Sequence, residues 1–241
     1  MTSPTEKLQH TISRLPLTDS GEIFSVLHSS FTEWQIEQEL NPANILLALH
    51  KAADARGHAA SHRNFNVGAS VLALKPNLAR KQFFKGVNVK PEALTDVNIH
   101  AEQLAIQKAR DRGFSLIRIV AVVGETQNDT QSGHQMCTLH PCGLCRDAME
   151  SAPLIDNDQT LIVTATPNLR TIEFSNVRSL KEYHEQQDFN VVRRVDLPDL
   201  NILRPVATGA PIFLNDNAES RDEDRIWDSI ISGAIKDFNA S

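Results

Sequence analysis

Hydrophobic positions along the chain change their spacing several times, and each change marks an element. From about Ser20 to Gln38, residues Ile23, Phe24, Val26, Leu27 and Phe31 predict a helix with fraying ends. Asn41-Pro42 is a helix-start signal, and Ile45, Leu46, Leu49 and Ala52 carry a second, stronger helix to about Arg56. The period then shortens. Val67–Leu74 and Gln82–Val89 read as strands rich in branched and aromatic residues. Their connector, Lys75–Lys81, contains Pro76 and predicts an antiparallel hairpin. His100 opens another segment of helical period, with Leu104, Ala105, Ile106 and Ala109. Leu116–Val123 is almost continuously apolar, as expected of a central strand buried on both faces. A polar loop from Glu125 to Gln135 precedes a helix entered at Pro141, and Thr160–Ala165 reads as a further strand.

A hairpin followed by alternating helices and strands predicts an α/β fold, three layers of α/β/α around a mixed sheet. The pattern divides the chain into an N-terminal helical extension (1–40), a central domain (41–190) and a C-terminal extension (191–241). Pro198, Pro205 and Pro211 break up the last part. Within it, Ile226, Trp227, Ile230, Ile231 and Ile235 outline an amphipathic helix over Asp222–Phe238, which either packs on its own core or forms a dimer contact.

Composition narrows the function classes. With 241 residues, 41% of them hydrophobic, the chain can bury one large core with extensions. A formal charge of -6 argues against a surface that wraps nucleic acid. Lys75, Arg80, Lys81, Lys85 and Lys90 do share one stretch, either a solvated hairpin face or a local basic groove. No apolar run reaches transmembrane length and the first residues lack a secretory core, so a cytoplasmic chain without a membrane partner is expected.

The chemistry concentrates in His100-Ala101-Glu102 and Pro141-Cys142-Gly143-Leu144-Cys145. Three cysteines are an odd count, and a C-x-x-C without a signal peptide favours metal or redox chemistry over a disulfide. Cys142 and Cys145 are three residues apart at a helix start, where the positive end of the dipole favours thiolate. His100 supplies a third donor. Two thiolates and a neutral imidazole balance Zn²⁺ to about zero charge, leaving it electrophilic enough to acidify a bound water. Glu102 is then a carboxylate for proton transfer rather than a ligand. On an ideal helix Glu102 points roughly 200° away from His100, so a bend at the helix start is needed to bring it near. The competing reading is a four-ligand structural zinc knot with Cys137 or His140 as the fourth donor. That reading leaves Glu102 without a role. His58 and His62, in a polar loop, are read as solvated.

The H-x-E…P-C-x-x-C arrangement resembles the signature of zinc deaminases, and over roughly residues 41–185 the chain resembles the cytidine deaminase family. Phe65-Asn66-Val67-Gly68-Ala69 is similar to the family's F-x-V-G-A segment, and Gly86-Val87-Asn88 to its G-x-N strand end. His100-Ala-Glu-Gln-Leu-Ala-Ile106 resembles the form found in the dimeric bacterial branch. The resemblance implies a cytidine deaminase-like fold and one zinc ion on His100, Cys142 and Cys145. It implies Glu102 as the proton shuttle, acting in pyrimidine salvage on a small-molecule pyrimidine nucleoside. Phe65 would pack on the pyrimidine, Asn88 would bond a ribose hydroxyl, and the backbone at Ala101 would read the base edge. Taken without the resemblance, Phe65 is equally an ordinary core aromatic and Asn88 a turn residue.

Two departures stand out. Where family members usually place a glutamate that grips the ribose 3′-hydroxyl, this chain has Lys90, with Glu92 two residues on. Either Glu92 takes over that contact, or Lys90 selects a phosphate or carboxylate. The dimeric branch also carries a second, inactive copy of the core, for which the roughly fifty residues beyond this core leave no room. A homodimer or higher homo-oligomer is expected, of an order that the branch does not fix. The rivals to cytidine deamination are action on a nucleotide, an aminonucleoside or an RNA base, and a non-catalytic zinc-binding module.

Overall fold

The computed structural model describes residues 40, 42–61, 64–78, 80–90, 98–126 and 136–186, with the backbone alone at 42–43 and 193–196. The anticipated helices at 20–38 and 222–238, Glu92, His62 and most of the 125–135 loop lie outside the described residues, as do both extensions except Leu40 and 193–196.

A six-stranded sheet organises the chain. Its strands are β2 (Gly68–Lys75), β3 (Arg80–Val87), β5 (Leu116–Val123), β6 (Leu161–Ala165), β7 (Thr171–Ser175) and β8 (Arg193–Asp196), in the order β3-β2-β5-β6-β7-β8. The β2–β3 hairpin is antiparallel and turns through a single 3-10 turn at Pro76–Leu78, as the connector predicted. Among the described strands of this sheet, β5 and β6 are the one parallel pair. β5 is the eight-residue strand read from the apolar run, and it lies inside the sheet between β2 and β6.

Helices cover both faces. Helix α1 (Pro42–Arg56) lays Ile45, Leu46, Leu49 and Ala52 on Leu72, Ile119, Ala121, Val123 and Val163. The opposite face carries α2 (Ala101–Asp111), α3 (Gly143–Glu150) and α4 (Val177–Glu185) over Val71, Val120, Val122 and Ile162. Strand alternation explains the division, because successive residues of β5 and β6 serve opposite cores. Each fully buried Leu or Ile contributes about 1.5–3 kcal/mol, so the two faces hold the sheet rigid beneath the site. This is the three-layer architecture with a mixed sheet that the pattern implied.

Two glycines set how closely the helices approach. A Cβ at Gly86 would lie 2.0 Å from the Ala101 carbonyl oxygen and 2.7 Å from the Ala105 nitrogen. One at Gly68 would lie 2.0 Å from the Ala52 carbonyl oxygen. Only glycine lets α2 rest on β3 and α1 on β2 at these distances. A small parallel pair, β1 (Ala60–Ser61) with β4 (Val89–Lys90), caps the same end of the molecule. Among the described residues no helix is long and apolar enough to cross a membrane.

The basic stretch is largely spoken for. Lys75 and Arg80 sit over the Phe114 ring at 4.9 and 5.8 Å, and Lys85 pairs with Asp54 at 3.2 Å.

Candidate metal centre

His100 is placed by a strand contact. Ile99 exchanges two backbone hydrogen bonds with Val89, at 3.0 and 2.9 Å, and His100 follows as the N-cap of α2. Its backbone is extended (φ -92, ψ 138), so helical periodicity does not relate it to Glu102. This is the bend the sequence required. The imidazole leaves the helix axis, and Glu102 in the first turn is buried instead.

The second half of the centre is built the same way. Cys142 is the N-cap of α3, again extended (φ -67, ψ 169), and Cys145 lies in the first turn, fully buried. The sequence placed both cysteines on one helix face; the structure puts Cys142 just outside the helix, and the pair still converges. Gln103 donates to the Leu144 carbonyl at 3.4 Å, tying α2 to the start of α3.

His100, Cys142 and Cys145 bring one ligand atom each to within 4.8 Å of one another, and the Cys142 sulfur lies 3.4 Å from His100 Nδ1. One nitrogen and two sulfurs at these separations fit a tetrahedral zinc with a corner left for water. The donors behave as a chelating pair. A hydrogen bond from the Cys145 thiol holds Cys142 down at about 5, so it is a thiolate at neutral pH, while the same contact and burial push Cys145 up. Glu102 stands directly against them. Burial is the main cause that raises its carboxyl above the ordinary range, and the nearby Cys142 charge adds to the rise. A buried carboxyl that is not a ligand is the group type suited to taking up and returning a proton.

The four-ligand alternative fails on His140. That ring is buried, with Nε2 directed at Glu173 Oε2 at 3.0 Å and Nδ1 paired with His184 at 3.2 Å, so neither nitrogen faces the sulfurs. Cys137 is not in the donor group formed by the described residues.

Of the other residues singled out from the sequence, Asn88 bridges two backbone groups. It accepts from the Val67 N–H and donates to the Phe65 carbonyl, each at 2.7 Å. Phe65 is half-buried against the core beneath α2 and α3. Ala101 is fully buried as the first residue of α2, and Lys90 is half-buried in β4, paired with Ser61. Two residues near the centre were not singled out from sequence. Asn98 lies 3.0 Å from His100 Nε2, on the ring edge away from Cys142. Glu173 underlies the approach to Cys142. A polar residue two positions before a ligand histidine is a weak cue for the first; a glutamate inside an apolar strand could have flagged the second.

One imidazole and two cysteine sulfurs beside a buried carboxyl in an α/β/α fold make a donor set that suits zinc, the class of site found in zinc-dependent hydrolases. A family model described as the cytidine and deoxycytidylate deaminase zinc-binding region matches residues 43–157, so this segment of the chain is similar to that zinc-binding region. The chain is also similar to solved structures of three cytidine deaminases. For the Burkholderia pseudomallei protein the identity is 25%, covering 56% of this chain and 94% of that one, with a TM-score of 0.44. For the Mycobacterium leprae protein the values are 23%, 57%, 96% and 0.40. For the Mycobacterium tuberculosis protein they are 22%, 48%, 81% and 0.36.

Proposed function

We propose that the chain hydrolyses cytidine or deoxycytidine to the uracil nucleoside and ammonia. The observation that carries this reading is the buried Glu102 carboxyl in the first turn of α2, next to the converging His100, Cys142 and Cys145 donors. Zinc held by those three residues would supply an electrophile that lowers the pKa of a bound water to roughly 7. Glu102 takes the proton from the attacking water and delivers it to N3 of the pyrimidine as oxygen adds at C4. It then passes a proton to the exocyclic nitrogen, which leaves as ammonia while the C4 carbonyl forms. Burial of Glu102 suits both steps, since it raises the carboxyl above its ordinary range and so favours proton uptake from the water.

The substrate contacts are those the resemblance implies, and the local hydrogen bonding is compatible with them. Phe65, fixed through its carbonyl, offers a ring face to the pyrimidine. The N–H groups at the start of α2, at Ala101, are free of intrahelical partners and suit the base's polar edge. Asn88 uses one amide hydrogen on Phe65 and one oxygen lone pair on Val67. The second hydrogen and lone pair of its carboxamide suit a ribose hydroxyl. Glu92 or Lys90 would complete the sugar contact, and the protein would work as a homo-oligomer in the cytoplasm.

One feature favours a second reading. Lys90 stands two residues beyond Asn88, where a cation would attract a 5′-phosphate or another anion, making a nucleotide the substrate. An ammonia-release panel over cytidine, deoxycytidine, CMP and dCMP, with zinc content measured in parallel, tests both. Higher kcat/KM on the nucleosides supports the first reading, and higher kcat/KM on the nucleotides supports the second. Zinc at one per chain with no ammonia from any cytosine compound would overturn both in favour of a binding module.

A further inference from the structure

The segment Met136–Pro141, which leads into Cys142, is fastened to a buried carboxylate on a strand remote in sequence. Glu173 is the central residue of β7 and is 7% exposed. Its neighbours Ile172 and Phe174 face the α1 core, so Glu173 faces the α2, α3 and α4 side. One oxygen, Oε2, receives three donors. They are the Thr138 N–H at 3.1 Å, the Thr138 hydroxyl, and His140 Nε2 at 3.0 Å. The Thr164 hydroxyl, on the cross-strand partner of Glu173, pairs with the Thr138 hydroxyl. His140 Nδ1 pairs with His184 of α4, and the His140 ring packs edge-on to Tyr183 with centroids 4.8 Å apart.

All three of those donors come from the two residues Thr138 and His140. Pro141 has no N–H to add a further anchor, and its carbonyl is gripped from α3 by Arg146 at 2.8 Å. Cys142 then begins α3, its carbonyl accepting from the Arg146 N–H at 2.9 Å. The position of the exposed ligand Cys142 is therefore set from two sides, by β7 through His140 and by α3 through Arg146.

We propose that Glu173 is a positioning residue for the metal centre: through Thr138 and His140 it fixes where the Cys142 sulfur stands relative to His100 and Cys145. This rests on reading Cys142 as a zinc ligand. Charge makes the device specific. Burial alone would raise the Glu173 carboxyl, yet the hydrogen bonds from His140 and Thr138 outweigh it and hold it below the usual carboxylate range. A buried carboxylate satisfied from one short segment selects a single conformation of that segment, because any other leaves the charge without donors.

The test uses the full chain. The zinc of the wild type is exchanged for Co²⁺, the visible spectrum is recorded, and zinc release to a chelator is timed. Glu173→Leu should shift the cobalt ligand-field bands and weaken zinc retention by about 10- to 100-fold, the usual effect of removing support behind a ligand. Glu173→Gln keeps an acceptor oxygen and should recover most of the loss. Thr138→Val removes only the hydroxyl donor and should move both readouts in the same direction by less, which keeps the test decisive if Glu173→Leu does not fold. Wild-type spectra and wild-type zinc release in Thr138→Val and in any folded Glu173 variant would overturn the proposal while leaving the zinc reading intact. A wild type that takes up neither metal would overturn the zinc reading itself.

Discussion

The Asn88 Nδ2 donates to the Phe65 carbonyl at 2.7 Å, and the same carboxamide accepts from Val67. One side chain just beyond β3 thus fixes the segment that enters β2 and carries Phe65. Asn88→Ala should leave two backbone groups without partners, one of them the N–H of buried Val67. A loss of about 1–3 kcal/mol in urea unfolding is expected, with KM rising more than kcat falls. Unchanged KM together with unchanged stability would show that Asn88 neither braces Phe65 nor meets substrate.

Glu102 is buried beside thiol ligands but is not one of the three converging donors. Glu102→Gln should keep zinc at the wild-type level and lower turnover by about 10²–10⁴-fold, the usual range for a proton-transfer group. Metal analysis and steady-state rates check this, and near-normal turnover would defeat the mechanism.

Asn98 touches the ring edge of His100 that faces away from Cys142. The Asn98 Nδ2 faces Nε2 at 3.0 Å; ligation through Nδ1 places the ring proton on Nε2, and the Asn98 carboxamide then turns over to accept it through its oxygen. Asn98→Ala should therefore weaken zinc binding by roughly 10-fold in chelator competition, with little change in Tm of the metal-free chain because the site is exposed. Equal zinc affinity would show the contact to be incidental.

Gly86 lets α2 rest on β3. Gly86→Ala must push the backbone at Ala101 outward, and His100 with it. Overpacking of this kind costs about 1–3 kcal/mol, and zinc retention should fall as well. Thermal unfolding with and without chelator would reveal a variant that tolerates the methyl group.

Glu173 gives a pH signature. Its carboxyl titrates lower in the folded chain than in the unfolded one, so the unfolded chain binds the proton first as pH falls. Its stabilising contribution is complete above the unfolded value of about 4.3 and is lost as pH falls through the lower folded value. The stability gap between wild type and Glu173→Gln should therefore narrow below about pH 5. Urea midpoints measured from pH 6 downward follow this, and a gap that widens with acidity would contradict it.

Local rules accounted for much of this molecule. β5 was legible because a strand buried on both faces must be apolar throughout, and α1 because Asn41-Pro42 and a clean periodic stripe mark its start and face. The metal ligands were legible because zinc needs few donor types at short spacing. β7 was not, since Glu173 interrupts its apolar run and is buried only by virtue of donors from another segment.

The amino-acid sequence by itself determined which donors could gather on a metal and which carboxyl stood apart from them, since that is a matter of residue type and spacing along one chain. Only the tertiary structure decided that Glu102 faces the centre, because His100 is extended rather than helical. It likewise decided that His140 turns away toward Glu173 and that Asn88 braces Phe65. Those outcomes depend on which backbone groups the packed sheet brings within hydrogen-bond reach, and no spacing rule along the chain contains that distance.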